Sequence, residues 1–153
     1  MAQNVGDVID LKTVLPHLDA KTKDEALHKM ADKLLAAGYL TDADGFVKDV
    51  YAREAEGKTG IGNFIAIPHG KSKHVQKSGI AIATLDNEIE WETLDDNGVK
   101  VIVLFAVGAT TEAAQEHLKL LALFARKLGR EAVIEALLKA DTAEQIKAAF
   151  VDN

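Results

Sequence analysis

Cysteine is absent from the 153 residues, which excludes a disulfide framework and a thiolate metal site and is compatible with a reducing compartment. Long apolar runs are also missing. The longest, Val101 to Val107, fits a buried strand and is much shorter than the roughly 20 residues of a membrane-spanning helix. Residues 1–10 contain no basic residue and no apolar core typical of a signal peptide. From these absences we expect a soluble, cytoplasmic protein.

Positive charge is scarce, because 18 Lys and Arg face 24 Asp and Glu and the net charge is −6. Excess negative charge disfavours sequence-independent binding to nucleic acid and to anionic membranes, so a neutral or cationic partner fits better. Hydrophobic residues form 48% of the chain, which suffices for one core. We therefore expect residues 1–153 to form a single domain.

Apolar periodicity and capping patterns predict five helices. Thr22 and Glu25 have the spacing of a capping box, and apolar residues then repeat at helical intervals up to Gly38. Further helices are predicted over residues 41–56, 110–128, 130–140 and 141–150. The helix over residues 110–128 has core spacing at Ala114, Leu118, Leu121, Ala125 and Leu128.

Short apolar runs between the helices predict strands. They cover residues 61–67, ending at Pro68, and residues 79–85 and 99–107. An edge strand or an extended entry segment is predicted within residues 8–18, and a short edge strand within the acidic stretch 86–96. This order of elements predicts an α/β fold, a three-layer sandwich in which helices cover both faces of a mixed β-sheet.

The sequence Pro68-His69-Gly70 marks the candidate functional site. Proline restricts the backbone before the histidine and glycine removes a side chain after it, so the imidazole is held on a stiff backbone and left open. These properties suit a nucleophile or a ligand. The three residues alone are equally compatible with a turn that closes a strand and leaves the histidine solvated.

Arg53 and Glu54, in the last turn of the second predicted helix, point toward the body of the protein. Helical geometry directs Arg53 close to Phe46 and places Glu54 near the centre of the apolar arc. Arg53 could simply interact with the negative helix end and a nearby carboxylate. Glu54 fits that interpretation less well, because a carboxylate is unfavourable at a helix C-terminus.

The other histidines divide into one inward-facing position and three ordinary ones. His117 falls inside the apolar arc of its helix, where a core histidine bonded to a backbone carbonyl is the alternative to a functional role. We expect His17 to be solvated or packed, His28 to lie on the surface and His74 to belong to a loop. A metal pair of His69 and His74 is not expected, because its spacing and lack of a nearby acid are unsuitable.

Three lysines, Lys71, Lys73 and Lys77, follow His69 with no acidic residue among them. They predict a local positive patch beside the candidate site in an otherwise acidic chain. Solvated lysines on a loop are the alternative interpretation.

From Glu54 to Gly70 the sequence reads Glu, six residues, then Ile-Gly-Asn-Phe-Ile-Ala-Ile-Pro-His-Gly. This stretch resembles the active-site signature of the type-2 enzyme IIA domains of the bacterial phosphoenolpyruvate:sugar phosphotransferase system (PTS), the fructose/mannitol class. The similarity extends over nearly the whole chain, from the helix start at Lys21 through Gln115-Glu116-His117 to the C-terminal helices.

The resemblance implies a phosphotransferase that relays a phosphoryl group on histidine. It places the phosphorylated histidine at His69, the family's arginine at Arg53 and its second active-site histidine at His117. It also implies phospho-HPr as donor, a cysteine of enzyme IIB as acceptor, a membrane IIC component beyond them, and no metal or cofactor. We interpret Glu54 as a supporting residue that orients Arg53 or one of the histidines.

The Ile-Gly-Asn sequence and the absence of fused domains resemble the fructose-type transport members most. The alternative is the regulatory, nitrogen-type branch, in which the phosphorylation state controls a binding partner without sugar transport. A noncatalytic binding module is a third interpretation, which Arg53, Glu54 and His117 together disfavour. The sequence specifies neither the sugar nor the oligomeric state.

Overall fold

The computed structural model describes residues 5–152 and contains one mixed sheet; residues 1–4 and 153 of the expected domain lie outside that description. The strands are β1 (Val14–Leu15), β2 (Gly60–Gly62), β3 (Ile65–Ala66), β4 (His69–Ser72), β5 (Gly79–Ile89) and β6 (Val99–Gly108). The helices are α1 (Val5–Val8), α2 (Lys23–Ala36), α3 (Ala43–Glu54), α4 (Thr111–Leu128), α5 (Glu131–Lys139) and α6 (Ala143–Val151). None of these helices is long and apolar enough to span a membrane.

The sheet has the strand order β1-β5-β6-β3-β2, with β4 also paired to β6. It separates two apolar clusters. Helices α2 and α3 cover one face, where Phe46 and Leu104 are buried, and α1, α4, α5 and α6 cover the other, where Phe105 and Phe124 are buried. Alternate residues of β6 therefore serve opposite cores. The predicted three-layer α/β sandwich with a mixed sheet is confirmed.

Side-chain caps begin the main helices close to the predicted positions. The Glu25 N–H donates to Thr22 Oγ1 over 3.1 Å, and the Glu25 carboxylate accepts from the Lys21 N–H over 2.7 Å. Asp42 and Thr110 cap α3 and α4 through the same type of bond. Because α3 ends at Glu54, its final turn carries both of the charged residues predicted to face inward.

Residues 61–67 do not form the single strand that the sequence predicts. Strands β2 and β3 form an antiparallel hairpin, whose turn has positive φ at Asn63 (55°) and Phe64 (68°). The ladder is interrupted at Pro68 as predicted, because proline has no N–H to donate. Its carbonyl still accepts from the Phe105 N–H over 3.0 Å, so the chain stays alongside β6 and His69 begins a new strand.

One further expectation is met in part and two are corrected. Residues 8–18 contain the expected edge strand, which is β1; it has only two residues and pairs parallel with β5. The end of α1 and a 3₁₀ turn (Leu11–Thr13) precede it and were not predicted. The edge strand expected in the acidic stretch is the end of β5 followed by a loop. In α4, Leu118 is 65% exposed and Ala125 is also exposed, whereas Phe124 and Leu128 are buried. The core stripe of α4 is therefore rotated from the predicted one.

Gly70 allows α3 to pack closely on β4. A Cβ atom at this position would lie 2.9 Å from Val50 Cγ2 and 3.0 Å from Phe46 Cε1, which is closer than ordinary contact. Because β4 starts at His69, this packing brings the C-terminal end of α3 next to the imidazole.

Candidate functional site

Three of the residues predicted for the site come together, each from a different layer. His69 begins β4, Arg53 lies in the last turn of α3 and His117 lies in the second turn of α4. The Arg53 Nε–H donates to His69 Nε2 over 3.0 Å, and the ring centroids of His69 and His117 are 4.9 Å apart. The site therefore depends on the sheet and on the helices of both faces.

The hydrogen bond from Arg53 defines the tautomer of His69. A guanidinium group has donors only, so Nε2 must accept with its electron pair. The ring proton is then assigned to Nδ1, which faces the Ile67 carbonyl at 3.4 Å. Nε2 is consequently the nitrogen with an electron pair available for a covalent bond.

Burial keeps both histidines neutral near pH 7. The pKa of His69 is lowered from 6.5, first by burial and then by the charge of Arg53, although the Ile67 carbonyl opposes this shift. The pKa of His117 falls to about 4, because burial, His69 and Arg53 all disfavour its protonation. A neutral His69 is a competent nucleophile, and a neutral His117 carries one N–H for donation.

His117 has a polar atom that the described part of the chain does not satisfy. Its Nδ1 is buried and has no hydrogen-bond partner there. The ring packs edge-on against Phe105, with centroids 5.1 Å apart. No backbone carbonyl in residues 5–152 bonds to it, which removes the interpretation of an ordinary, satisfied core histidine. An unpartnered buried polar atom of this kind calls for a functional explanation.

A cavity of about 390 Å³ opens at these side chains. Its lining includes His69, His117, Lys71 and the exposed Leu118. Leu118, predicted to be a core residue, thus provides an apolar surface beside the imidazole. Of the three lysines in the predicted patch, Lys71 lines this cavity, whereas Lys77 Nζ lies 4.6 Å from the ring centroid of Tyr39 elsewhere.

Glu54 points away from the three central residues. Its two carboxylate oxygens lie 2.7 and 2.9 Å from Thr59 Oγ1, and its Oε1 lies 3.2 Å from Lys23 Nζ. Trp91 Nε1–H donates to the same Thr59 hydroxyl oxygen over 3.3 Å. Sequence reasoning did not identify Thr59, Lys23 or Trp91, because they come from separate segments and match no recognisable spacing.

The remaining histidines lie outside the site. His17 is exposed, as expected, and it also pairs with two carboxylates: its Nδ1 is 2.5 Å from Asp86 Oδ1 and its Nε2 is 2.8 Å from Asp141 Oδ1. His28 and His74 occupy surface and loop positions as predicted. No group of three or more histidine, aspartate or glutamate residues within 5–152 is arranged to hold a metal ion.

Comparison with known families identifies the family of this chain. The sequence profile described as "Phosphoenolpyruvate-dependent sugar phosphotransferase system, EIIA 2" matches residues 7–153. The chain belongs to this family. The EIIA resemblance inferred from residues 54–70 is thereby confirmed, and with it the assignment to the phosphotransfer proteins.

Curated EIIA relatives differ in length and in named role. The chain is 31% identical to the PTS system 2-O-alpha-mannosyl-D-glycerate-specific EIIABC component of Escherichia coli, with 92% of this chain and 22% of the relative covered. It is 31% identical to the PTS system fructose-specific EIIA component of Haloferax volcanii, covering 92% and 94%. It is 33% identical to the nitrogen regulatory protein of Pseudomonas aeruginosa, covering 90% and 88%. The chain thus spans only 22% of the length of the EIIABC component, and 17% of the length of a second relative, Multiphosphoryl transfer protein 2 of Escherichia coli.

Solved EIIA structures share the fold. The nitrogen regulatory protein IIA-Ntr from Neisseria meningitidis superposes with a TM-score of 0.86 at 23% identity, covering 95% of this chain and 98% of that one. Enzyme IIA-Mtl in its complex with phosphorylated enzyme IIB-Mtl, from Escherichia coli, gives a TM-score of 0.77 at 20% identity, covering 94% and 97%. At these identities the likeness establishes the architecture.

Proposed function

We propose that His69 is the phosphorylated residue of this EIIA protein, and that it carries a phosphoryl group from phospho-HPr to enzyme IIB of a fructose-type sugar transport system. The observation that carries this proposal is the bond from Arg53 Nε–H to His69 Nε2, 3.0 Å long, at the edge of an open cavity. It supplies a neutral nucleophilic nitrogen beside a fixed cation. Transfer between phosphohistidine and histidine requires that combination.

The chemistry consists of two displacements at phosphorus. In the first, His69 Nε2 attacks the phosphoryl group in line, and the N–P bond on HPr breaks as its electron pair returns to the carrier imidazole. In the second, a cysteine thiolate of enzyme IIB attacks and the electron pair returns to Nε2. Neither step requires a metal or another cofactor. The protein contributes positioning and charge stabilisation.

Arg53 and His117 are assigned to the phosphoryl oxygens. When Nε2 forms its bond to phosphorus, the Arg53 Nε–H loses its acceptor and becomes available to an oxygen of the new group. His117 is 4.9 Å away between ring centroids and lines the same cavity as His69, so its neutral imidazole can donate a second hydrogen bond. Its position in the second turn of α4 also favours an anion, because the helix N-terminus is positive.

The partners are inferred from the named roles of relatives. Fructose-specific EIIA and EIIABC components, together with an enzyme IIA complex that contains phosphorylated enzyme IIB, support IIB as the acceptor. HPr as donor and a membrane IIC component follow from the same scheme, in which this chain acts in the cytoplasm. Nucleic acid is not among the proposed partners.

A regulatory role is the second candidate. The nitrogen regulatory protein of Pseudomonas aeruginosa is 33% identical and is covered over 88% of its own length, against 31% and 94% for the fructose-specific EIIA component of Haloferax volcanii. In this alternative, phosphorylated and unphosphorylated His69 would favour different binding partners, with no transfer to a IIB protein.

Intact mass spectrometry tests these roles. The parent, His69→Ala and the control His74→Ala are incubated with phosphoenolpyruvate, enzyme I and HPr, with and without a fructose-type IIB protein. We expect the parent and the control to gain one acid-labile phosphate and to lose it to IIB, while His69→Ala gains none. Phosphate that is gained but retained with IIB would favour the regulatory role. Absence of phosphate on the parent would refute the assignment of His69.

A further inference from the structure

We infer that Thr59, Lys23 and Trp91 are positioning residues for the phosphoryl transfer proposed above, acting through Glu54 on the guanidinium of Arg53. None of the three touches His69 in the described contacts. They form, with Glu54, a hydrogen-bonded cluster behind the last turn of α3. The inference rests on the proposed function but can be tested independently of it.

The Arg53 guanidinium makes two hydrogen bonds, one to a side chain and one to the backbone. Its Nε–H donates to His69 Nε2 over 3.0 Å, and its Nη1–H donates to the Gly57 carbonyl over 3.1 Å. The second contact makes the orientation of the guanidinium dependent on the loop that follows α3. Anything that anchors this loop therefore positions Arg53.

Thr59 anchors that loop on both sides. Its hydroxyl bonds the carboxylate of Glu54, the residue after Arg53, and the side chain is 3% exposed. Its carbonyl accepts the N–H of Ile67 over 2.9 Å, and the Ile67 carbonyl in turn faces His69 Nδ1. Thr59 thus connects the segment that contains Arg53 to the segment that contains His69. The Trp91 indole N–H donates a hydrogen bond to the Thr59 hydroxyl oxygen.

Lys23 provides the charge that allows Glu54 to be buried. The side chains are 13% and 7% exposed, and a carboxylate at the negative end of α3 is unfavourable unless it is compensated. Lys23 Nζ lies 3.2 Å from Glu54 and 4.8 Å from the Trp91 ring centroid, so the ammonium is itself fixed. Loss of Lys23 or of the Thr59 hydroxyl would drive Glu54 toward water. Because Arg53 lies in the same last turn of α3 as Glu54, this movement would displace Arg53 as well.

Two variants and two matched controls test the inference. Thr59→Val removes the hydroxyl at nearly constant volume, and Lys23→Met removes the charge at similar length. As controls, Thr59→Ser keeps the hydroxyl, and Lys33→Met removes an exposed lysine from α2, the helix that also contains Lys23. The rate of transfer from phospho-HPr is measured by rapid quenching, and the His69 pKa is measured by NMR titration of the unphosphorylated protein.

We expect both variants to slow transfer about tenfold or more, and to raise the His69 pKa toward 6.5 because the charge of Arg53 moves away. Thr59→Ser and Lys33→Met should match the parent in both measurements. Parental values in Thr59→Val and Lys23→Met, or slower transfer with an unchanged His69 pKa, would overturn the inference. If Thr59→Val does not fold, Lys23→Met decides. If the pKa moves but the parent accepts no phosphate, the positioning of Arg53 beside His69 stands and the proposed function fails.

Discussion

At the scale of single residues, the geometry of the Arg53 guanidinium matters as well as its charge. Its Nε–H and Nη1–H point in different directions, to His69 and to Gly57. An ammonium cannot reproduce this fixed fork. We expect Arg53→Lys to slow phosphate transfer from HPr on the order of a hundredfold, as measured by rapid quenching. A rate within twofold of the parent would show that a nearby positive charge is sufficient.

His17 gives the stability of the protein a pH dependence that is separate from the candidate functional site. Its pKa is raised above 6.5 by its bonds to Asp86 and then Asp141. A raised folded-state pKa means that the stabilisation is fully present below pH 6.5 and is lost as the pH rises through the folded value. In thermal melts, we expect His17→Gln to lower the melting temperature relative to the parent more at about pH 6 than at about pH 9.

His28→Gln is the matched control, because His28 has similar side-chain exposure (40% against 44%) but lies 3.5 Å or more from its nearest carboxylates. The effect of His28→Gln on the melting temperature should differ less between the two pH values than the effect of His17→Gln does. Equal differences for the two variants would contradict the pairing of His17 with both aspartates.

Sequence alone identified the residues whose chemistry is local and missed those whose partners are distant. His69 was found from Pro68 and Gly70, its immediate neighbours, and Arg53 and Glu54 from their direction on a helix. The partners of His17 are 69 and 124 residues away, so no local pattern could indicate them. The same holds for Thr59 and Trp91, which meet across 32 residues.

At the scale of elements, the site depends on how closely α3 approaches β4. Gly70→Ala would place a Cβ 2.9 Å from Val50 Cγ2 and force the two elements apart. We expect a loss of about 1–3 kcal/mol in the free energy of unfolding, measured with urea, together with slower transfer, because Arg53 moves with α3.

Gly129→Ala is the control for the effect of a glycine-to-alanine change at a position where the methyl group meets no close neighbour. Gly129 has φ of −80°, and its nearest atoms to an added Cβ are 3.5 Å away, so the methyl group fits. An equal loss of stability in both variants would exclude close packing at Gly70 as the cause.

Helices were easier to predict than strands because their signals are local. Thr22, Asp42 and Thr110 each mark a helix start by bonding an N–H three residues later. The hairpin of β2 and β3 was missed because its turn, Asn63-Phe64, lacks glycine. Strand β4 was read as a loop, since its four residues are defined by pairing with β6 and not by apolar alternation.

At the scale of the whole molecule, the sheet supplies His69, the helices of one face supply Arg53 and those of the opposite face supply His117. A partly unfolded chain that has lost either helical layer cannot contain the complete set. A phosphoryl group attached to His69 can contact Arg53 and His117 together only in the conformation in which both layers are docked. Because the N–P bond itself persists when the chain unfolds, only the free energy of these contacts adds to stability. It adds to the cooperative stability of the entire sandwich and not to that of one helix.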